Sequence, residues 1–350
     1  MSNGEAAPES SAGLWLRLGA SLVLAVGFAV ALAPYLSTIP ADLSIAPWVI
    51  VAYLGSLLPY HLLRSGRWYF LIRPLGAVSA RDATLVSLAG YMWIAIMPFR
   101  LGEFARPLFL AQRSDVTVSK ALGSVAIERV IDGLAVCGLF FVGIVGTSAT
   151  PQSEALYQGT LVVMSAFAAA VVVLAVMARF PGFAGRIVEV ILAPISRGVA
   201  TRVSGLFTGV SEGLAALPSA RPLAAFTATT IAYWLANAAG MWLLAYGVGL
   251  ELGFREVVTV LAVMNLALLI PGGPAQFGVF QTGVALGLSL YLSPSTIKDS
   301  GSLFTFYLYV CQLATIAALG IAAQRFLGLD WRTLFSARRR AAIPSAKETE

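Results

Sequence analysis

The chain has 350 residues, of which 58% are hydrophobic and 11% charged, and its formal net charge is +6. Water-soluble domains carry about 25% charged residues, so this composition, with a mean hydropathy of +0.83, excludes a soluble globular protein and marks an integral membrane protein. Two cysteines, Cys137 and Cys311, lie inside apolar runs and His61 is the single histidine, which excludes a disulfide framework and His- or thiolate-based metal chemistry and leaves no cofactor or metal expected.

In chain order, residues 1–13 are polar and read as a disordered tail. The apolar run from Leu18 to Leu36 follows acidic Glu5 and Glu9 with only Arg17 as a positive flank, and it exceeds the apolar core of a signal peptide. It reads as a membrane helix. A span needs about 20 apolar residues, and six segments suit: 14–36, 47–63, 130–149, 158–178, 222–247 and 302–325. Two more apolar segments are interrupted, 82–112 at Pro98 and 256–292 at "PGGP", Pro271 to Pro274.

Lysine and arginine concentrate on cytoplasmic flanks. Arg64, Arg67, Arg73 and Arg81 follow the second span, so that end is expected in the cytoplasm. A complete crossing by 82–98 would export Arg113, Lys120 and Arg129; a re-entrant hairpin over 82–112 keeps them inside. The same test makes 256–292 a hairpin entering from the opposite face, because 302–325 must return to the basic tail of Arg332, Arg338, Arg339 and Arg340. Only Arg255 and Lys298 of the 23 basic residues then face outward; Arg100 and Arg106 lie within the first hairpin and the rest are cytoplasmic. The expected fold is an all-α polytopic bundle of six full spans and two re-entrant hairpins, arranged as inverted repeats over 14–149 and 158–325. Pro98 and Gly102, and Pro271, Gly272, Gly273 and Gly278, form the hairpin breaks, and 336–350 is a basic tail. Between the repeats, 183–216 places Ile187, Ile191, Ile195, Val199, Val203, Phe207, Val210 and Leu214 at steps of three or four, an amphipathic helix with break points at Pro194 and Ser196–Gly198. It fits either the lipid surface or the flank of the bundle. Net positive charge without an aromatic-interleaved basic face suits anionic lipid heads and excludes nucleic acid.

The stretch "MPFRLGEFARP" sets Arg100, Glu103 and Arg106 within about 120° of helical arc. A charge in the bilayer centre costs about 2.5–3.5 kcal/mol even on the lenient insertion scale, so the three must face protein or water. Two readings stay open: a salt-bridged pin for the hairpin, or recognition of a headgroup or ion, for which the planar fork of arginine suits phosphate. "AIERVID" sets Glu128 and Asp132 at i and i+4 around Arg129, just where the third full span begins. It reads as a helix-terminal ion pair of Arg129 with Asp132 or as part of a polar cavity. The second hairpin adds Asn265, Gln276 and Gln281, polar but uncharged.

"PFRLGEFAR", then "ERVID", then "PGG…FGVFQTG" resemble the lysylphosphatidylglycerol synthase transmembrane, or flippase-like, family over roughly 14–326. Pro98, Arg100, Gly102, Glu103, Arg106, Glu128, Arg129, Asp132, Pro271 and Gly278 match that pattern, whereas Gln281 stands where many members carry a glutamate. The resemblance implies a stand-alone member without the synthase domain, in a bacterial cytoplasmic membrane with both termini inside. It also implies translocation of a phospholipid or lipid-linked molecule through a midplane cavity. The expected partners are membrane lipids, an anionic or aminoacylated phospholipid or a polyprenyl phosphate, and an envelope-lipid biosynthesis enzyme. The alternatives are an intramembrane lipid-modifying enzyme and a membrane scaffold. Against the enzyme stand the lack of HExxH, of a Gly-rich phosphate loop and of a nucleophile–base pair involving histidine.

Overall fold

The computed structural model describes residues 45–97, 102–216, 220–270 and 272–329. The expected span 14–36, both tails and positions Pro98, Arg100 and Pro271 lie outside the described residues. Regular structure within them is helical: α1 (Pro47–Gly66), the short α2 (Trp68–Ile72), α3 (Ala80–Ile96) and α4 (Ala105–Ala111). There follow α5 (Val118–Ile144), α6 (Pro151–Arg179), α7 (Phe183–Leu192), α8 (Arg197–Ala215) and α9 (Ala220–Gly247). The last are α10 (Phe254–Ala267), α11 (Val279–Leu288) and α12 (Ser302–Leu327). Starts are set by local chemistry. The side chains of Ser79, Thr117 and Thr150 accept from the backbone N–H three residues on, and Pro47 and Pro151 occupy first-turn positions where no N–H is needed.

Contacts at the helix ends divide the bundle into two ends. At one, Asp82 in α3's first turn pairs with Arg113 beyond α4 at 3.7 Å, and Arg113 donates to the Leu327 carbonyl closing α12. Lys120 opening α5 pairs there with Glu212 late in α8. At the other end, the Thr147 hydroxyl beyond α5 bonds Tyr291 Oη at 3.1 Å, and Gln152 opening α6 donates to Ser289 Oγ beyond α11. A Cβ on Gly146 would lie 3.2 Å from Arg255 in α10's first turn, which places that helix's start at the same end. The pair α3–α4 therefore starts and finishes at the first end, and α10–α11 at the second. Helix α4 has 7 residues, α10 has 14 and α11 has 10; at about 1.5 Å per residue none reaches the roughly 30 Å of a hydrocarbon core.

Helix α6 is charged only near its ends, and the most apolar window within it has 0% of its residues buried in the protein, as suits a lipid environment. The continuous helical stretch Pro294–Leu327, which includes α12, also has the length and hydropathy of a span. The apolar stripe of 183–216 lies on two helices, α7 and α8, packed on each other with a break at 193–196, and α8 packs on α5 and α6. One expectation is corrected. The helix carrying "AIERVID" begins at Val118, well before residue 130, so its charges are interior to the helix rather than at its mouth. They are tolerated there because other helices supply their counter-charges.

Candidate functional site

The break after α3 is built for close approach. Residues 102–104 form one 3₁₀ turn, and a Cβ on Gly102 would lie 2.3 Å from the Trp93 carbonyl oxygen, so only glycine fits against α3. The turn brings Glu103 and Phe104 to one side and sends Arg106 toward α5. Gly90 completes this path: a Cβ there would be 2.1 Å from Arg106 Cγ.

Arg106 is fully buried. Its Nη1 donates to Glu128 Oε2 at 2.7 Å, and its guanidinium lies over the rings of Tyr91 and Trp68 at 4.6 and 5.1 Å. Glu128, equally buried, also accepts from Arg67 at 3.1 Å, from Arg129 at 2.9 Å and from the Tyr91 hydroxyl. Arg67 reaches Asp132 and the Thr230 hydroxyl at 2.8 Å each and stands 4.6 Å from the rings of both Phe226 and Tyr233. Tyr233 Oη donates to Asp132 Oδ1 at 2.8 Å. Arg129 pairs with Glu103 and with Asp132, each at 3.6 Å. Arg67, Arg106 and Arg129 thus face Glu103, Glu128 and Asp132, and the six charges cancel.

This cluster forms the floor of a cavity of about 720 Å³. Glu103, Arg129, Asp132, Asn265 and Gln276 line it. Arg106 and Glu128 do not; they lie behind the floor. Gln281 lines a separate recess beside Phe277 and Thr282, and its Oε1 accepts from the Gly278 N–H at 2.7 Å to cap α11. Gly278, at φ +84, supplies the left-handed residue that starts that helix. Gly272 and Gly273 flank the break on its other side. The turn Pro274–Gln276 packs against α3, so the second interruption meets the first pair of helices at the cavity. Ala275 and Gln276 both have φ +56 and both line it, and the Ala275 carbonyl accepts from Tyr309 Oη at 3.0 Å. Phe104 (51% exposed) and Leu269 (43%) line the cavity as well, so it reaches the surface between the two breaks.

The sequence reading assigned Arg64 and Arg67 to a cytoplasmic flank, and this is corrected. Arg67 is inside the cluster, and Arg64 lines the cavity 4.1 Å from the Tyr91 ring, donating to Tyr60 Oη at 3.1 Å. A signal for both was present. Tyr53, Leu57 and Tyr60 form the buried stripe of α1 at alternating steps of four and three, and the same steps continue to Arg64 and Arg67. Tyr91 and Tyr233, which complete the coordination of Glu128 and Asp132, carried no such signal. Among the described residues Arg64 has no carboxylate partner, which makes it the uncompensated cation of the cavity.

An all-helical bundle with a lipid-facing apolar helix and a neutralised ion cluster at its heart defines a helical membrane protein. A family model described as the lysylphosphatidylglycerol synthase TM region matches residues 14–320, and the chain belongs to that family. No curated protein and no solved structure matches it.

Proposed function

We propose that this protein moves a phospholipid or lipid-linked molecule across the bacterial cytoplasmic membrane, its headgroup passing through the cavity while its tails stay in lipid. The observation that carries the reading is Arg64: a cation on the wall of a cavity of about 720 Å³, held by an aromatic face and a phenol but by no carboxylate among the described residues. Such a group suits the phosphate of an anionic headgroup. The neutral floor beneath it supplies a rigid polar surface without competing for that phosphate. The surface opening between Phe104 and Leu269 gives the tails a lateral exit.

In this reading α3–α4 and α10–α11 are re-entrant hairpins of two inverted repeats, both termini are cytoplasmic, and rocking of one repeat on the other alternates access. Translocation makes and breaks no covalent bond, so the protein acts as a transporter rather than an enzyme. It passes on a lipid made by an envelope-lipid synthesis enzyme, its expected partner. Glu103, on the cavity and paired with Arg129, is the proton carrier if an ion gradient drives the movement.

Reconstituted into vesicles, the protein is expected to move labelled anionic phospholipid between leaflets without ATP. Arg64→Gln should slow this about tenfold, the loss of one charge-assisted phosphate contact, and Glu103→Gln should remove any response to a proton gradient. If anionic, aminoacylated and polyprenyl phosphate lipids all cross no faster than in protein-free vesicles, with or without the gradient, the protein is a scaffold and not a translocator.

A further inference from the structure

Away from the charged floor, the cavity wall made by α1 and α9 holds buried polar atoms that have no hydrogen-bond partner among the described residues. His61 is 3% exposed, Trp234 6% and Asn237 2%, and all three line the cavity. Both ring nitrogens of His61, Nε1 of Trp234 and Oδ1 of Asn237 have no hydrogen-bond partner among the described residues. Buried polar groups are nearly always paired, because an unmade hydrogen bond loses the full hydration of the group. Leucine or phenylalanine at these positions would pack α1 on α9 as well without that loss, so packing does not account for the residue types.

Their chemistry is complementary to hydroxyl groups. Trp234 offers a donor, Asn237 an acceptor, and a neutral imidazole one of each. Trp234 and Asn237 stand three residues apart on one face of α9, and His61 lies on α1, which packs against that helix. Flat aromatic faces adjoin them, with Tyr233 4.9 Å from Trp234 and 5.9 Å from Tyr60. Aromatic faces beside neutral donors and acceptors suit the mixed C–H and O–H surface of a polyol. They give a cationic or purely anionic head nothing extra. We propose that this wall binds an uncharged, hydroxyl-bearing part of a lipid headgroup, a glycerol or a sugar, while Arg64 holds the adjoining phosphate. The proposal rests on the translocation reading and narrows its substrate to phospholipids with a hydroxylated head.

The test uses two lipid pairs of equal charge, matched in head size, of which one member carries hydroxyl groups and the other none: phosphatidylglycerol against phosphatidylpropanol, and a polyprenyl phosphoglucose against the polyprenyl cyclohexyl phosphate. Native mass spectrometry of the purified protein reads their competition. The wild type should retain the hydroxylated member of at least one pair about tenfold better, the equivalent of one or two hydrogen bonds. Trp234→Phe and Asn237→Leu should bring that preference to within about twofold while retention of the hydroxyl-free member stays unchanged. Equal retention within both pairs by the wild type overturns the proposal without reference to any variant and leaves translocation standing, and so does a full preference kept by both variants. If no lipid of either pair is retained or moved, the translocation reading falls and takes this one with it.

Discussion

Glu128 and Arg64 are both charged and both interior, yet they carry opposite expectations. Glu128 is fully buried and accepts from three arginines and one tyrosine. Its removal leaves Arg67 and Arg106 in a dry interior with fewer partners, and breaking a buried pair from one side costs about 3–5 kcal/mol. Glu128→Gln should therefore lower the unfolding temperature in detergent sharply, and Arg106→Lys should lower it less, through a loss of about 2 kcal/mol of stability, because lysine keeps the charge but not the fork over Tyr91 and Trp68. Arg64→Gln should leave unfolding nearly unchanged and slow transport. An Arg64 variant that unfolds like the Glu128 one would place Arg64 in the structural cluster instead. The expectation that "PFRLGEFAR" sets its charges on one helical face is corrected for Glu103 and Arg106, which separate, the first to the cavity and the second to Glu128 behind it. Glu103 and Arg106 sit three residues apart on a turn that is 3₁₀ at one and α-helical at the other, so they part to the cavity and to its floor. Arg67 comes from the turn between α1 and α2, Tyr91 from α3 and Tyr233 from α9, and only tertiary packing brings them in.

At the scale of elements, the second pair of helices depends on small residues. Cβ atoms on Gly283 and Gly287 would lie 3.0 and 2.9 Å from the Cα atoms of Met264 and Val260, so α11 rests directly on the backbone of α10. Gly287→Leu should part these helices and lower both the unfolding temperature and transport, whereas leucine at Gly138, with nothing within 4 Å of its Cβ, should do neither. The turn between them is strained at Ala275, whose φ of +56 costs an L residue about 1–2 kcal/mol. Ala275→Gly is expected to raise the unfolding temperature slightly, and an unchanged or lowered one would mean that the greater freedom of glycine in the unfolded chain outweighs the relief. "PGGP" announced the interruption because glycine and proline are the residues that end helices. The start of α5 at Val118 was hidden, since residues with buried counter-charges give the same letters as residues at a membrane surface.

For the whole molecule, charge and helix ends point the same way. The end that holds both feet of α3–α4 carries Arg73, Arg81, Arg113, Lys120 and Arg325, while the end that holds both feet of α10–α11 carries Arg255 and Lys298 with Glu154, Glu251, Glu256 and Asp299. Moving Arg64 and Arg67 into the interior removes them from the flank, yet the asymmetry survives without them. Arg73 and Arg81, on which the expected orientation also rested, stay on that flank, so the expectation does not depend on Arg64 and Arg67. It yields a test independent of lipid chemistry. In a variant lacking Cys137 and Cys311, cysteine is placed at Lys298, which is exposed beside α12, or at Asp115, exposed between α4 and α5. Asp115 is preferred to Lys120, which is engaged with Glu212. In intact cells an impermeant maleimide should label the first and not the second, and permeabilised cells should label both. Labelling of Asp115→Cys from outside would mean that α3 and α4 together carry the chain across the membrane. The two pairs of helices would then not be hairpins entering from opposite faces, and the cavity between them would lose the alternating access that transport requires.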